Sequence, residues 1–206
     1  SYPGVVVEVL PVRDYIFGEY AAHVFGYVSE INEEELERRK GEGYKSGDII
    51  GKFGLERVYD KEVRGIKGGE QVEVDVSGRP VQILGRQSPI PGNDLVLTID
   101  SHIQEAAERA VDDQLAAVHA HAAAAVVMNP QTGEILAMVS RPAFNPNLFA
   151  GGISTVNWNM LNNNPYHPMD NKAITGEYPP GSTFKIVTGT AALAEHKRSE
   201  ERRVGK

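Results

Sequence analysis

Two residues three positions apart carry the chemistry that can be read most directly from this chain. Ser182 and Lys185 form its only Ser-x-x-Lys pattern. A serine hydroxyl is a weak nucleophile until a neighbouring base takes its proton. A lysine amine serves as that base when burial or another cation depresses its pKa. Alone the pattern carries little, because about one chance match is expected in a chain of this length at average composition. Its setting carries more. Pro179-Pro180-Gly181 precede it and place Ser182 at the mouth of a helix expected to run from Ser182 through Ala194. At such a mouth, free backbone N–H groups and the helix dipole favour negative charge. The serine is open to solvent there and offers its own N–H to a developing oxyanion, while Lys185 falls one turn along the same face. The chemistry so described is acyl transfer through a serine ester. The competing reading, a helix N-cap followed by a surface lysine, is the better one for the bare pattern.

Other polar residues offer less. His119 and His121 lie two apart, point in different directions on a helix and make a poor metal pair; exposed or rim positions are expected. His23 is expected to be structural. Gly41, Gly43, Gly47 and Gly51 look like a phosphate loop only superficially, with no strand–loop–helix context and no Gly-Lys-Ser/Thr, so they are read as turns. Phe144, Trp158 and Tyr166 precede Ser182 in a loop-rich stretch, where they either wall a substrate cleft or pack that loop. Asp100, Asp170 and Glu177 are nominal acid/base groups that nothing ties to Ser182.

The elements that must position the serine follow from periodicity. Val5 to Val9 reads as a strand between turn residues, and Asn32 opens a helix with Glu33 to Glu35 at its positive end and Arg38 to Lys40 at the other. Gln71 to Val76 and Val81 to Leu84 alternate around Ser77-Gly78, a hairpin signal. Residues 87–94 hold two prolines and a glycine without a period, and mark a domain boundary. A short strand, Leu95 to Ile99, is expected next, then a helix from Ser101 to about Ala120. Ser101 and Gln104 would form its capping box, with Ile103, Ala107, Ala110, Val111, Leu115 and Val118 near one face. Ala123 to Met128 and Glu134 to Val139 read as paired strands. Arg141 to Pro180 is mostly loop with a short helix near Val156 to Leu161. In the last helix Ile186, Val187, Ala191 and Ala192 are spaced to pack.

Composition excludes several classes. The net charge of −7 argues against general nucleic-acid binding, which wants a basic face. Without cysteine there is no disulfide framework, thiolate metal site or cysteine nucleophile. The longest apolar run, Ala122 to Met128, is far short of the ~20 residues a membrane span needs. The hydrophobic content of 41% is enough for a core.

The string Tyr178 to Lys185 resembles the active-serine motif of the penicillin-binding proteins. Ala123 to Ser140 is similar to the first two strands of their transpeptidase domain, Leu97 to Asp100 to its entry, and Asn171 to Gly176 to its approach to the serine. Upstream, Tyr2 to Val5, Ala21 to Tyr27, Gly51 to Glu56, Tyr59 and Gln71 to Asp75 resemble the non-catalytic pedestal of elongation-type class B members. The fold class implied is α+β: a small pedestal (dimerisation-type) module at 1–90, followed at 91–197 by the first part of a serine transpeptidase α/β domain.

The activity implied is a D,D-transpeptidase that cross-links peptidoglycan stem peptides through an acyl-enzyme on Ser182, with β-lactams as covalent inhibitors. No metal or organic cofactor is implied. The parent protein would be membrane-anchored with its catalytic domain outside the cytoplasmic membrane, beside a membrane glycan polymerase. Two further motifs complete such a site, Ser-x-Asn and Lys-Thr/Ser-Gly. Neither is identified in the chain, so the 206-residue polypeptide is expected to be essentially inactive. Both ends read as cut, and Arg198 to Lys206 reads as a translated sequencing adapter rather than protein. The competing functions are a non-catalytic scaffold docking a wall-synthesis partner, and a β-lactam sensor or serine β-lactamase relative; the long pedestal-like half argues against a free β-lactamase.

Overall fold

A computed structural model describes residues 12–74, 76 and 80–195. The expected strand at Val5 to Val9, the turn at Ser77-Gly78 and the tail from Arg198 lie outside the described residues. The chain divides into two compact units, Ser1–Ile174 and Thr175–Lys206.

The first unit opens with short elements: α1 (Ala22–Phe25), β1 (Val28–Glu30), α2 (Glu33–Arg38), β2 (Ile49–Gly51), α3 (Gly54–Val58) and α4 (Asp60–Val63). Asn32 caps α2 as expected, in a reciprocal box. Its side chain accepts the Glu35 N–H at 2.8 Å, and the Glu35 carboxylate accepts the Asn32 N–H at 2.9 Å. β1 and β2 pair antiparallel with Val28 opposite Gly51. The strand runs so close to α3 that a Cβ on Gly51 would lie 1.8 Å from the Glu56 carbonyl oxygen, so only glycine fits. The expected hairpin is present as β3 (Gly69–Val74) and β4 (Pro80–Gln87).

After residue 90 the expected strand at Leu95 to Ile99 does not form. Only isolated bonds hold this stretch to the next sheet, Thr98 Oγ1 to the Ile135 carbonyl at 2.7 Å and Asp100 N–H to the Leu136 carbonyl at 2.9 Å. α5 (Ser101–Val118) packs on the hairpin of β5 (Ala123–Met128) and β6 (Ile135–Arg141). Its cap is Asp100 rather than Ser101: the carboxylate accepts the His102 and Ile103 N–H groups at 2.9 and 3.0 Å. Those two bonds, the Ile103 one foremost, hold the Asp100 carboxyl below its usual pKa. α6 (Asn147–Ala150), α7 (Thr155–Asn162) and α8 (Lys172–Thr175) follow.

The apolar core is built from both sides of the expected boundary. Ala22 packs with Phe144, Phe149 and Leu161, and Tyr27, Leu148, Ile153 and Met169 close around them. Tyr27 stacks on Phe149 with centroids 3.9 Å apart. Phe144 is 1% exposed and meets His23, Tyr27 and Phe149 edge to face. Of the two readings offered for Phe144, cleft wall or packing, its burial supports packing, since a ring enclosed on every side has no face for substrate.

The second unit holds a 3-10 turn at Gly181–Phe184 leading into α9 (Lys185–Ala194). The α-helix therefore starts three residues later than expected. Gly181 explains the delay, since it sits at φ +55, outside the right-handed helical region. Of the α9 positions expected to pack, Ala192 is half-buried, whereas Ile186 and Val187 are 77% and 56% exposed and Ala191 is exposed as well.

Candidate active site

Ser182 is the second residue of the 3-10 turn, and Lys185 is both the cap of that turn and the first residue of α9. The Lys185 N–H donates to the Ser182 and Thr183 carbonyls. A 3-10 turn repeats every three residues, so side chains three apart eclipse. Ser182 and Lys185 therefore share one edge of the turn. The first donor of the turn is Thr183, whose N–H meets the Pro180 carbonyl at 3.2 Å. Ser182 N–H precedes it and stays outside the turn's own ladder, as the first donors of any helix do. Both side chains are exposed. The arrangement presents a hydroxyl, a backbone N–H and an amine to solvent on a short, proline-entered turn. Gly181 is the hinge of the arrangement, since a side chain at φ +55 would be strained by roughly 1–2 kcal/mol.

The segment that runs into this turn is anchored within the first unit. Ser140 on β6 is buried and handles two backbone groups: its hydroxyl donates to the Asp170 carbonyl at 3.1 Å and accepts the Lys172 N–H at 3.0 Å. The Lys172 ammonium donates to the His167 carbonyl at 2.8 Å. Burial moves that amine below the usual lysine range, and the Asp170 charge opposes the shift. From α1, the buried His23 ring meets the Pro168 carbonyl at 2.7 Å.

A second set of residues ties the same sheet to the front of the chain. Gln104 and Glu108 are buried on α5. Gln104 exchanges two bonds of 2.9 Å with the Met138 backbone and donates to Glu108 Oε1 at 2.6 Å. Gln104 is thus a buried bridge rather than the second half of a capping box. Glu108 Oε1 also accepts the Ala21 N–H at 2.7 Å. Arg141 Nη2 lies 2.6 Å from Glu108 Oε2 as an ion pair, although that oxygen accepts no well-aligned hydrogen bond. The same guanidinium holds Asp112 through two bonds of 2.6 and 2.9 Å. Burial alone would lower the Arg141 pKa, but the bonds to Asp112 and the charges of Glu108 and Asp112 raise it above the ordinary arginine value.

Sequence periodicity pointed to the apolar stripe of α5 and passed by this polar one. Ile103, Ala107, Val111 and Leu115 are half-buried, Ala110 and Val118 are exposed, and the fully buried positions are Gln104 and Glu108. The available signal was Gln104, Glu108 and Asp112 at four-residue spacing, which puts all three on one helical edge.

The remaining candidates separate cleanly. Trp158 and Tyr166 are 41% and 40% exposed, and Tyr166 lies against His121 with centroids 4.7 Å apart. His119 adopts φ +54 at the α5 C-cap. Asp170 takes part through its backbone carbonyl. Gly41, Gly43 and Gly47 occupy turns at positive φ, as expected. Contrary to the expectation above, the chain does hold one literal Lys-Ser-Gly, at Lys45 to Gly47. It lies in the turn before β2, with the Lys45 N–H on the Asp48 carboxylate at 3.0 Å, and not on a strand. Among the described residues no cluster of histidines and carboxylates has metal-ligand spacing, and no helix is long and apolar enough to cross a membrane. A groove of about 530 Å³ opens in the first unit, lined by Arg13, Tyr15, Phe17, Leu55 and Leu95 among others.

Comparison with known proteins places the two halves. Residues 1–97 match the penicillin-binding protein dimerisation domain, and residues 123–205 match the penicillin-binding protein transpeptidase domain. A peptidoglycan D,D-transpeptidase MrdA from Acinetobacter baumannii is 42% identical over 193 residues, spanning 94% of this chain and 28% of the relative. The Escherichia coli K12 protein of that name is 40% identical over 197 residues, 94% of this chain and 30% of the relative. The chain thus spans under a third of the length of these curated relatives. Among solved structures, Pseudomonas aeruginosa PBP2 in complex with WCK 5153 superposes with a TM-score of 0.73 at 39% identity, over 94% of this chain and 37% of that one. The PBP2 of a PBP2–MreC complex from Helicobacter pylori superposes with a TM-score of 0.75 at 30% identity, over 94% and 34%. The chain belongs to the penicillin-binding proteins, with a pedestal of their dimerisation type followed by transpeptidase-domain sequence that carries the Ser182–Lys185 turn.

Proposed function

We propose that this chain is part of an elongation-type, class B peptidoglycan D,D-transpeptidase in which Ser182 is the nucleophile and Lys185 its base. In that reaction the Ser182 hydroxyl adds to the carbonyl between two D-alanines of a stem peptide. Its proton passes through the Lys185 amine to the departing nitrogen, the C–N bond breaks and D-alanine leaves. An amine on a neighbouring strand then takes the acyl group and restores the hydroxyl. A β-lactam follows the first half and stays attached. The observation that carries the reading is the eclipsed placement of Ser182 and Lys185 on a solvent-facing 3-10 turn, inside the residues matched to the transpeptidase domain. The domain limits proposed are 1–90 for the pedestal and 91–197 for the catalytic part. The parent protein is proposed to be membrane-anchored with its catalytic part extracytoplasmic, working beside a glycan polymerase.

The test is mass spectrometry after incubation of the protein, as its gene encodes it, with a penicillin. One adduct is expected on the tryptic peptide Ala173 to Lys185 and none in Ser182→Ala. A folded protein with no adduct on that peptide, or with an adduct retained in S182A, defeats the assignment.

A scaffold role for the pedestal is favoured by one observation: the Helicobacter pylori neighbour is a PBP2 in complex with MreC. Because the core joins both sides of residue 90, the bait for such a test is the whole chain rather than residues 1–90.

A further inference from the structure

Residues 94–97 alternate as a strand does, yet no strand lies beside them. Leu95 and Leu97 line the groove of about 530 Å³ in the first unit, while Val96 between them is 98% exposed; side chains that alternate between two faces mark an extended backbone. The segment is pinned at both ends. The Asn93 N–H donates to the Glu62 carbonyl at 2.8 Å, and Thr98 Oγ1 and the Asp100 N–H hold the start of β6. Between these points no hydrogen bond to a described residue takes up the backbone N–H or carbonyl of Leu95, Val96 or Leu97. An extended apolar backbone with open N–H and C=O groups is a template for another strand.

The groove decides what that strand must carry. Phe17, Phe25, Leu55 and Val63 join Leu95 and Leu97 in its walls, so every second residue of an incoming strand meets apolar surface. The wall that carries Phe17 is set beforehand, because the Asn147 side chain accepts the Tyr15 N–H at 2.8 Å and donates to the Tyr15 carbonyl at 3.0 Å. Arg13, Asp14, Glu56 and Asp94 are the charged residues lining the groove. Glu56 neutralises Arg13 through contacts of 2.9 and 3.1 Å and accepts the Tyr15 hydroxyl at 3.3 Å. Asp14 and Asp94 are exposed and have no ion pair among the described residues. The uncompensated charge is therefore negative.

We propose that the edge at 94–97 docks an extended segment of a partner protein, apolar at alternate positions and carrying a lysine or arginine. The segment adds a strand to this backbone, lays its apolar side chains in the groove beside Leu95 and Leu97, and sets its cation against Asp14 and Asp94. The inference does not rest on the acyl-transfer reading, because every residue it uses lies in the first unit.

The probe is a short blocked peptide of alternating valine and threonine that ends in arginine, with a twin ending in glutamate as control. Amide hydrogen exchange of the whole chain is followed by NMR. With the arginine peptide at about 100 times its dissociation constant, exchange should slow up to about a hundredfold. The slowing should fall on alternate residues of 94–97, because a strand edge donates from every second residue. Asp94→Ala should weaken the arginine peptide by up to about fivefold and leave the glutamate twin no weaker. No protection on adding the peptide, or protection already present in the free chain, overturns the proposal, and so does equal affinity for the glutamate twin. Protection that grows with protein concentration in the absence of peptide assigns the edge to a second copy and overturns it as well.

Discussion

Ser182 and Lys185 can be judged as individual side chains because their geometry is local. A positioned general base contributes about 10²–10⁴ in rate, so Lys185→Ala should slow penicillin acylation by that factor while leaving substrate affinity nearly intact. Single-turnover labelling separates the two. The 206-residue polypeptide itself contains no Ser-x-Asn, and its one Lys-Ser-Gly lies in a pedestal turn. Without the motifs that complete such a site, no stable penicillin adduct is expected from it; rapid labelling would show that the turn suffices. Glu108 poses the opposite kind of test. It is 1% exposed and serves Ala21, Gln104 and Arg141 at once. Glu108→Ala leaves a largely buried guanidinium short of a partner, and breaking such a pair costs about 3–5 kcal/mol, measurable by urea unfolding. A loss below 1 kcal/mol would mean that Asp112 alone compensates Arg141.

Among the elements, one glycine and one aspartate mark where sequence dictates local form. Gly51→Ala forces a methyl into the Glu56 carbonyl, and overpacking of this kind costs about 1–3 kcal/mol or more; a thermal melt should show it. Asp100→Ala removes the acceptor for two N–H groups at the start of α5, and helicity measured by circular dichroism should fall. Because the Asp100 pKa is depressed in the folded chain, its cap is complete above the unfolded pKa and fades as pH drops through the folded one. Most elements were legible from periodicity: α2 with its Asn32 box, the β3–β4 and β5–β6 hairpins, α5 and α7 all lie near their expected positions. The misses have local causes. Ser101 looked like a cap because serine and Gln104 satisfy the box pattern, but Asp100, one residue earlier, reaches the free N–H groups first. Leu95 to Ile99 has strand-like composition, yet it finds only isolated bonds at the start of β6, and a strand without a ladder is not a strand.

For the first unit as a whole, the shared core outweighs the sequence boundary. Ala22 and Tyr27 pack against residues from Phe144 onward, so a polypeptide of residues 12–90 alone should expose them. Limited chymotrypsin digestion should cut it at Phe25 and Tyr27 well before the whole chain; equal resistance would show that the pedestal carries a sufficient core of its own. By itself the sequence determined the Ser182–Lys185 pairing, its proline entry, the alternation of the hairpins and the family, because each rests on residues within one or two turns of one another. Only the tertiary structure decided that Phe144 is core rather than cleft, that Gln104, Glu108 and Arg141 form a buried seam, and that His23 faces Pro168. Those roles depend on which distant segment arrives to exclude water from a polar group, and residue spacing along the chain does not encode that arrival.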